Sequence, residues 1–176
     1  GRAFVFIDTA GLRRQGKNED GIEFYSSLRT QRALERADVC VLLLDAVDGL
    51  NNQDLKIATL VWEAGRSLII VVNKWDLVEK GDKTSAKLQK EWRTKAPFLQ
   101  WVPFLFSSAL TGQRVHKVLE LLGDVEAERL KRIPTHAINE TLQSLLGRLQ
   151  PPQAPGRDVR LNYATQVDVA PPTIAS

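Results

Sequence analysis

An α/β fold, with a parallel sheet covered by helices on both faces, is what this sequence predicts. Three observations carry that expectation. Short apolar runs alternate with amphipathic segments over the first two thirds of the chain. Runs such as Val39-Cys40-Val41-Leu42-Leu43-Leu44 and Leu68-Ile69-Ile70-Val71-Val72 are apolar at every position, as strands buried on both faces must be. Asp8, Asn73 and Ser107 stand at the ends of such runs. Open sheets of this kind bind ligands at the carboxyl ends of their strands, so these residues share one rim.

The elements follow in order. Ala3 to Ile7 reads as a strand ending at Asp8, followed by a Gly-rich and charged loop from Thr9 to Gly21. Phe24 to Ala37 has helical spacing, with Tyr25, Leu28, Arg29, Arg32 and Ala33 in register. Val39 to Leu44 is a strand ending at Asp45. Gln53 to Ala64 is a helix that puts Ile57, Leu60, Val61 and Ala64 on one face and stops at Gly65. Leu68 to Val72 is the next strand. Thr84 to Lys95 is a polar helix, Val102 to Phe106 a strand, and Val115 to Lys131 a long helix. After Ile133-Pro134 the character changes. Ile138 to Leu149 is an amphipathic helix, followed by the turn-rich segment Gln150 to Gly156. Val159 to Val167 alternates as a strand and is ended by Pro171-Pro172. One helix and one strand cannot bury a core alone.

The chain has 176 residues, room for one full domain and part of a second. With 43% hydrophobic and 26% charged residues it is globular rather than disordered. No apolar stretch reaches transmembrane length, and none of these residues reads as a signal peptide. The single cysteine, Cys40, excludes an internal disulfide and fits a reducing, cytoplasmic compartment as a small buried hydrophobe. The net charge is +3, with basic residues gathered late: Arg129, Lys131, Arg132, Arg148, Arg157 and Arg160. These are compatible with a nucleic-acid partner and equally with a solvated face. His116 and His136 lie far apart and lack ligand partners, and Asp45 and Asp48 read as turn residues.

The chemistry sits on the rim. An Asp at a strand end, Asp8, can hold a water of a Mg2+ ion. Gly11, three residues on, lets a backbone N–H approach a terminal phosphate. As a bare pattern D-x-x-G is weak, since a turn after a strand explains it. Asn73-Lys74-Trp75-Asp76 is more specific. The Asp76 carboxylate can accept two hydrogen bonds from guanine, at N1–H and the exocyclic amine, a donor pair that adenine lacks. The Lys74 stem can lie over the base, and Asn73 can tie neighbouring loops. A chance N-K-x-D has odds of roughly one in fifty in this length. Trp75 is a spacer or a core anchor. A backbone N–H of Ser107-Ser108-Ala109 can donate to guanine O6, although a Ser-capped helix start explains the same residues. Nowhere does the sequence contain the phosphate-cradling G-x-x-x-x-G-K-S/T loop.

On these residues the chain resembles the bacterial Der (EngA) family of double GTPases. The resemblance is carried by Asp8-Thr9-Ala10-Gly11-Leu12-Arg13-Arg14 with Gly16-Lys17, by Tyr25-Ser26, and by Arg36-Ala37-Asp38-Val39. Asn73-Lys74-Trp75-Asp76-Leu77-Val78 and Ser107-Ser108-Ala109 extend it. The late run Tyr163-Ala164-Thr165-Gln166-Val167 with Pro171-Pro172-Thr173 is similar to the first strand of that family's C-terminal KH-like domain, and other GTPases lack it. The resemblance implies a Ras-like P-loop NTPase sheet lacking its N-terminal phosphate-loop part over residues 1–132, then a truncated α/β KH-like domain over 133–176. It implies GTP or GDP with Mg2+ as ligands, bound by Asp8, Thr9, Ala10, Gly11, Leu12, Asn73, Lys74, Trp75, Asp76, Ser107, Ser108 and Ala109, with Asp8 reaching the metal through water. It implies potassium assistance at a switch I that this chain does not contain. Leu12 stands where many GTPases place a water-orienting Gln, so no catalytic residue is assigned. Arg13, Arg14 and Lys17 form a charged switch loop or touch phosphate or RNA.

The implied partners are the large ribosomal subunit and its rRNA, with the protein a monomer in the cytoplasm. The implied activity is GTP hydrolysis during ribosome biogenesis. An Era-type GTPase with a KH domain, or a non-catalytic interaction module, is the alternative. The missing phosphate loop leaves the expectation of a fragment with open strand edges, poorly soluble when made alone and binding GTP weakly or not at all.

Overall fold

The computed structural model describes residues 3–8, 32–79, 84–148 and 161–175. The chain divides into two compact units, residues 1–126 and 127–176.

The first unit is built on three parallel strands in the order β1 (Val39–Asp45), β2 (Ser67–Asn73) and β3 (Phe104–Phe106). The register pairs Asp45 with Asn73 and Val72 with Phe106, so the three strands end together. Central β2 is apolar on both faces because both are covered. Leu68, Ile70 and Val72 pack with Ala58 and Val61 of α1 (Asn52–Glu63) and Trp92 of α2 (Thr84–Arg93). Ile69 and Val71 pack on the opposite face with Val118, Leu121 and Leu122 of α3 (His116–Arg129). This is the two-sided parallel sheet that the apolar runs predict.

Local signals set the helix limits. Asn51 caps α1 by accepting from the Gln53 and Asp54 N–H groups at 2.9 and 3.0 Å, and Asp54 returns a bond to the Asn51 N–H at 3.2 Å. Gly65, at φ +64°, follows its end. Residues 32–36 are helical, as the 24–37 reading requires, and 24–31 lie outside the described residues.

The expected strand over 3–7 does not form. Residues 3–8 have no regular secondary structure, and Val5 and Phe6 are 90% and 68% exposed. A strand needs a neighbour for its N–H and C=O groups, and this run has none among the described residues. The apolar pattern alone cannot supply one. The outer edge of β1 likewise has no strand partner among the described residues, and Leu43 on it is exposed.

The second unit contains α4 (Thr135–Leu146) and an antiparallel hairpin of β4 (Thr165–Val169) and β5 (Pro172–Ala175). Three expectations change here. The strand read over Val159 to Val167 begins at Thr165 and runs to Val169, with no regular secondary structure over 161–164. The helix begins at Thr135 rather than Ile138, directly after Pro134, whose fixed φ suits a helix entrance. The chain also resumes as a strand at Pro172 instead of stopping there. Proline is tolerated as the first residue of an edge strand, where its missing N–H removes no ladder bond.

Polar side chains hold this unit together. The Asn139 amide donates to the carbonyls of Thr135 and Ala164, each at 2.8 Å, and its Oδ1 accepts from the Ala164 N–H at 2.9 Å. Buried Gln166 accepts from the Ile133 N–H at 2.7 Å and donates to the Asp168 carbonyl at 3.0 Å. The late Tyr163-Ala164-Thr165-Gln166-Val167 run supplies Ala164 to the first of these clamps and Gln166 to the second. Asn139→Ala leaves the Ala164 N–H and C=O without their partner. The expected loss is about 2 kcal/mol, read as faster amide hydrogen exchange at Ala164. Unchanged exchange there would show that the clamp carries no stability.

Candidate functional site

The common end of the three strands gathers the polar residues of the first unit. β1 ends in Asp45 and β2 in Asn73, while β3 leads directly into Ser107-Ser108-Ala109. Backbone bonds fix the loops to one another. The Ala46 N–H donates to the Asn73 carbonyl at 2.9 Å, the Trp75 N–H to the Ser107 carbonyl at 3.0 Å, and the Ser107 N–H to the Val72 carbonyl at 2.9 Å. The Asn73 Oδ1 accepts from the Ala109 N–H at 2.9 Å, a bond that spans 36 positions of the sequence. Asn73 is thus the tie between the second and third loops, as its place in the motif predicts.

Lys74 lies in the left-handed region, at φ 60° and ψ 32°. A non-glycine residue there costs about 1–3 kcal/mol and persists only where its surroundings hold it. The Lys74 Nζ meets the Asp45 Oδ2 at 2.6 Å. That bond, foremost, and the 2.9 Å bond from the Val47 N–H hold the Asp45 carboxyl below its ordinary pKa. Asp45 does hold a turn, as expected. Its pairing with Lys74 was not legible from sequence, because 29 positions separate them and nothing in Asp45-Ala46-Val47-Asp48 marks a distant partner.

Trp75, left open between spacer and anchor, is an anchor. It is buried, with its ring centroid 4.5 Å from that of Phe106. Trp75 and Leu77 flank Asp76 in a single turn of 3-10 helix, closed by the Leu77 N–H on the Lys74 carbonyl at 3.0 Å. Asp76 Oδ1 is buried and has no hydrogen-bond partner among the described residues. A carboxylate oxygen removed from water without a donor is costly, of order 1–3 kcal/mol. Chemically it is an acceptor, and a carboxylate can accept a pair of adjacent donors.

The Ser107-Ser108-Ala109 turn differs from expectation. Its three N–H groups are already engaged, by the Val72 carbonyl, by the Gln113 carbonyl at 3.1 Å, and by Asn73 Oδ1. The N–H of exposed Leu110 has no partner among the described residues. A short turn offers one N–H per residue, and which of them stays open depends on tertiary partners. Ser108, fully buried, accepts from the Thr111 N–H at 3.1 Å through its hydroxyl and shapes this turn.

The phosphate side is different. Asp8 is exposed, in a segment that joins no sheet, so the described structure does not bring it to the rim beside Asn73 and Asp76. Thr9, Ala10, Gly11 and Leu12, with Arg13, Arg14 and Lys17, lie outside the described residues. The Asp8 carboxylate has the hard-oxygen chemistry that Mg2+ prefers, without a second described donor beside it. No helix among the described residues is long and apolar enough to cross a membrane.

Comparison with known proteins supplies the rest. Residues 2–128 match the family described as the elongation factor Tu GTP binding domain. Residues 132–176 match the KH-domain-like family of EngA bacterial GTPase enzymes, C-terminal. A GTPase Der from Gemmatimonas aurantiaca is 61% identical over 97% of this chain and 39% of its own length. A GTPase Der from Caldanaerobacter subterraneus subsp. tengcongensis is 46% identical over 98% of this chain and 39% of its own. The chain thus spans 39% of the length of these relatives. Among solved structures, Era in complex with MgGDPNP and nucleotides 1506–1542 of 16S ribosomal RNA aligns with a TM-score of 0.53. It is 24% identical and covers 63% of this chain and 36% of that one, a likeness of fold.

Proposed function

The chain belongs to the family of the elongation factor Tu GTP-binding domain, is similar to the GTPases Der along nearly its whole length, and on that premise we propose that it reads the guanine base of GTP and GDP. The observation that carries this reading is the buried Oδ1 of Asp76, in the turn that follows β2, which has no hydrogen-bond partner among the described residues. In this reading Asp76 accepts from guanine N1–H and the exocyclic amine. Adenine offers no such donor pair and leaves the carboxylate unsatisfied. The Lys74 stem lies against the base plane. Asn73 holds the Ser107-Ser108-Ala109 turn, and Leu110, rather than Ala109, presents the N–H for guanine O6. Trp75 supports the loop from the core.

Asp8 serves the water shell of Mg2+, with Thr9, Ala10, Gly11 and Leu12 along the phosphates. The ion, when bound, neutralises phosphate charge. Leu12 cannot orient a water, so this chain's contribution to hydrolysis is nucleotide binding and positioning.

The whole protein, in this proposal, hydrolyses GTP as a ribosome-assembly factor of the large subunit. Residues 1–132 belong to its GTPase domain and 133–176 to a KH-like domain that meets rRNA or packs on the GTPase part. The test is nucleotide titration of the gene product that carries this chain. GDP is expected to bind roughly ten-thousandfold more tightly than ADP, the lower end of the range for a site built to pair specific donors. Equal affinities, or no binding of either, would overturn the reading.

A further inference from the structure

We infer that Asp45 is a positioning residue for nucleotide recognition: from the end of the neighbouring strand it holds the Lys74 side chain where the lysine stem can lie against a guanine base, without itself touching the nucleotide. The inference rests on the guanine reading of Asn73 to Asp76 and adds a residue outside that motif.

The geometry is specific. Asp45 is the last residue of β1, directly opposite Asn73 in the strand register. That ladder sets the distance across which Asp45 and Lys74 meet, and their charged atoms lie 2.6 Å apart. The carboxylate is fixed at both oxygens, Oδ2 by Lys74 and Oδ1 by the Val47 N–H at 2.9 Å. Its side chain is 14% exposed, against 56% for Lys74, so the shielded partner anchors the exposed one.

A lysine side chain carries substantial rotamer freedom, and holding it before the ligand arrives removes that loss from binding. The left-handed backbone at Lys74 aims the side chain, and the pairing with Asp45 pins its far end. Only the stem is then left to meet a base.

Asp45→Asn separates this role from the turn. The amide keeps an oxygen for the Val47 N–H and nearly the same volume, and it removes the charge that holds Lys74. In the gene product carrying this chain, Asp45→Asn is expected to weaken GDP binding about tenfold, the scale of one hydrogen bond to a charged group. Lys74→Ala weakens it as well, and the double variant binds no worse than Lys74→Ala alone. A structural role would instead give losses that multiply in the double variant. Multiplying losses, or wild-type affinity in Asp45→Asn, would overturn the inference. Asp76→Ala separates the two levels. Binding lost in Asp76→Ala but unchanged in Asp45→Asn removes the positioning role and leaves the guanine reading standing. A wild-type protein that does not bind GDP removes both.

Discussion

Asp76→Asn is expected to turn a guanine reader into a xanthine reader. Guanine presents two adjacent donors, N1–H and the exocyclic amine. A carboxylate can accept both. Asparagine keeps one acceptor oxygen and replaces the other by a donor N–H. Against guanine that donor faces the exocyclic amine, and two donors meet in a site where Asp76 Oδ1 is already shielded from water. Against xanthine it faces a carbonyl, and the pairing is restored. GDP affinity should fall by roughly a hundredfold or more, the scale of leaving buried polar groups mispaired. Xanthosine diphosphate should bind the variant in preference to GDP. Competition between the two nucleotides on wild type and variant reads both effects. A gain for one base cannot come from general unfolding. Unchanged GDP binding by Asp76→Asn would mean that Asp76 does not contact the base.

Trp75→Ala is expected to cost about 3–5 kcal/mol of stability, the range for truncating a buried aromatic. Trp75 belongs to the core cluster formed by β2, α1 and α2 and packs its ring on Phe106. The same residue separates Lys74 from Asp76, and its N–H bonds to the Ser107 carbonyl. Its loss removes the floor of the loop and loosens the placement of the Lys74 and Asp76 side chains with it. Urea unfolding followed by circular dichroism measures the first effect, and GDP titration the second. Trp75→Phe, which keeps a ring at the contact with Phe106, should recover most of the stability. A Trp75→Ala midpoint equal to that of the wild type would return Trp75 to the role of a spacer.

Much of this molecule is written along the chain. Runs that are apolar at every position foretell β1 and β2, because a strand covered on both faces has no polar side to mark. The capping of α1 by Asn51 and its end before Gly65 are local chemistry within a few residues. The three-residue β3 is shorter than the apolar run containing it, since Pro103 brings no N–H to a ladder. The clusters at the strand ends, Asn73 to Asp76 and Ser107 to Ala109, are legible for the same reason: a strand that ends at a rim must change from apolar to polar there.

The failures of sequence reasoning fall where a partner lies far away. Residues 3–7 have the composition of a strand and form none among the described residues, because a strand exists only against a neighbour. Pro172 punctuates the sequence and yet opens β5, because the edge position makes its missing N–H harmless. The Ala109 N–H is taken by Asn73 Oδ1, a partner 36 positions away that the Ser107 to Ala109 cluster does not announce.

By itself, then, the sequence determined the fold class and the order of the elements from β1 onward, and it marked Asn73 to Asp76 as the candidates for guanine recognition. These depend on periodicity and on residue type at strand ends, which neighbours along the chain define. Only the tertiary structure decided that Trp75 is core, that Asp45 holds Lys74, and that Asp76 keeps a buried oxygen with no donor among the described residues. Such facts are set by which groups packing brings within about 3 Å of one another, the reach of a hydrogen bond, and no local pattern encodes that distance.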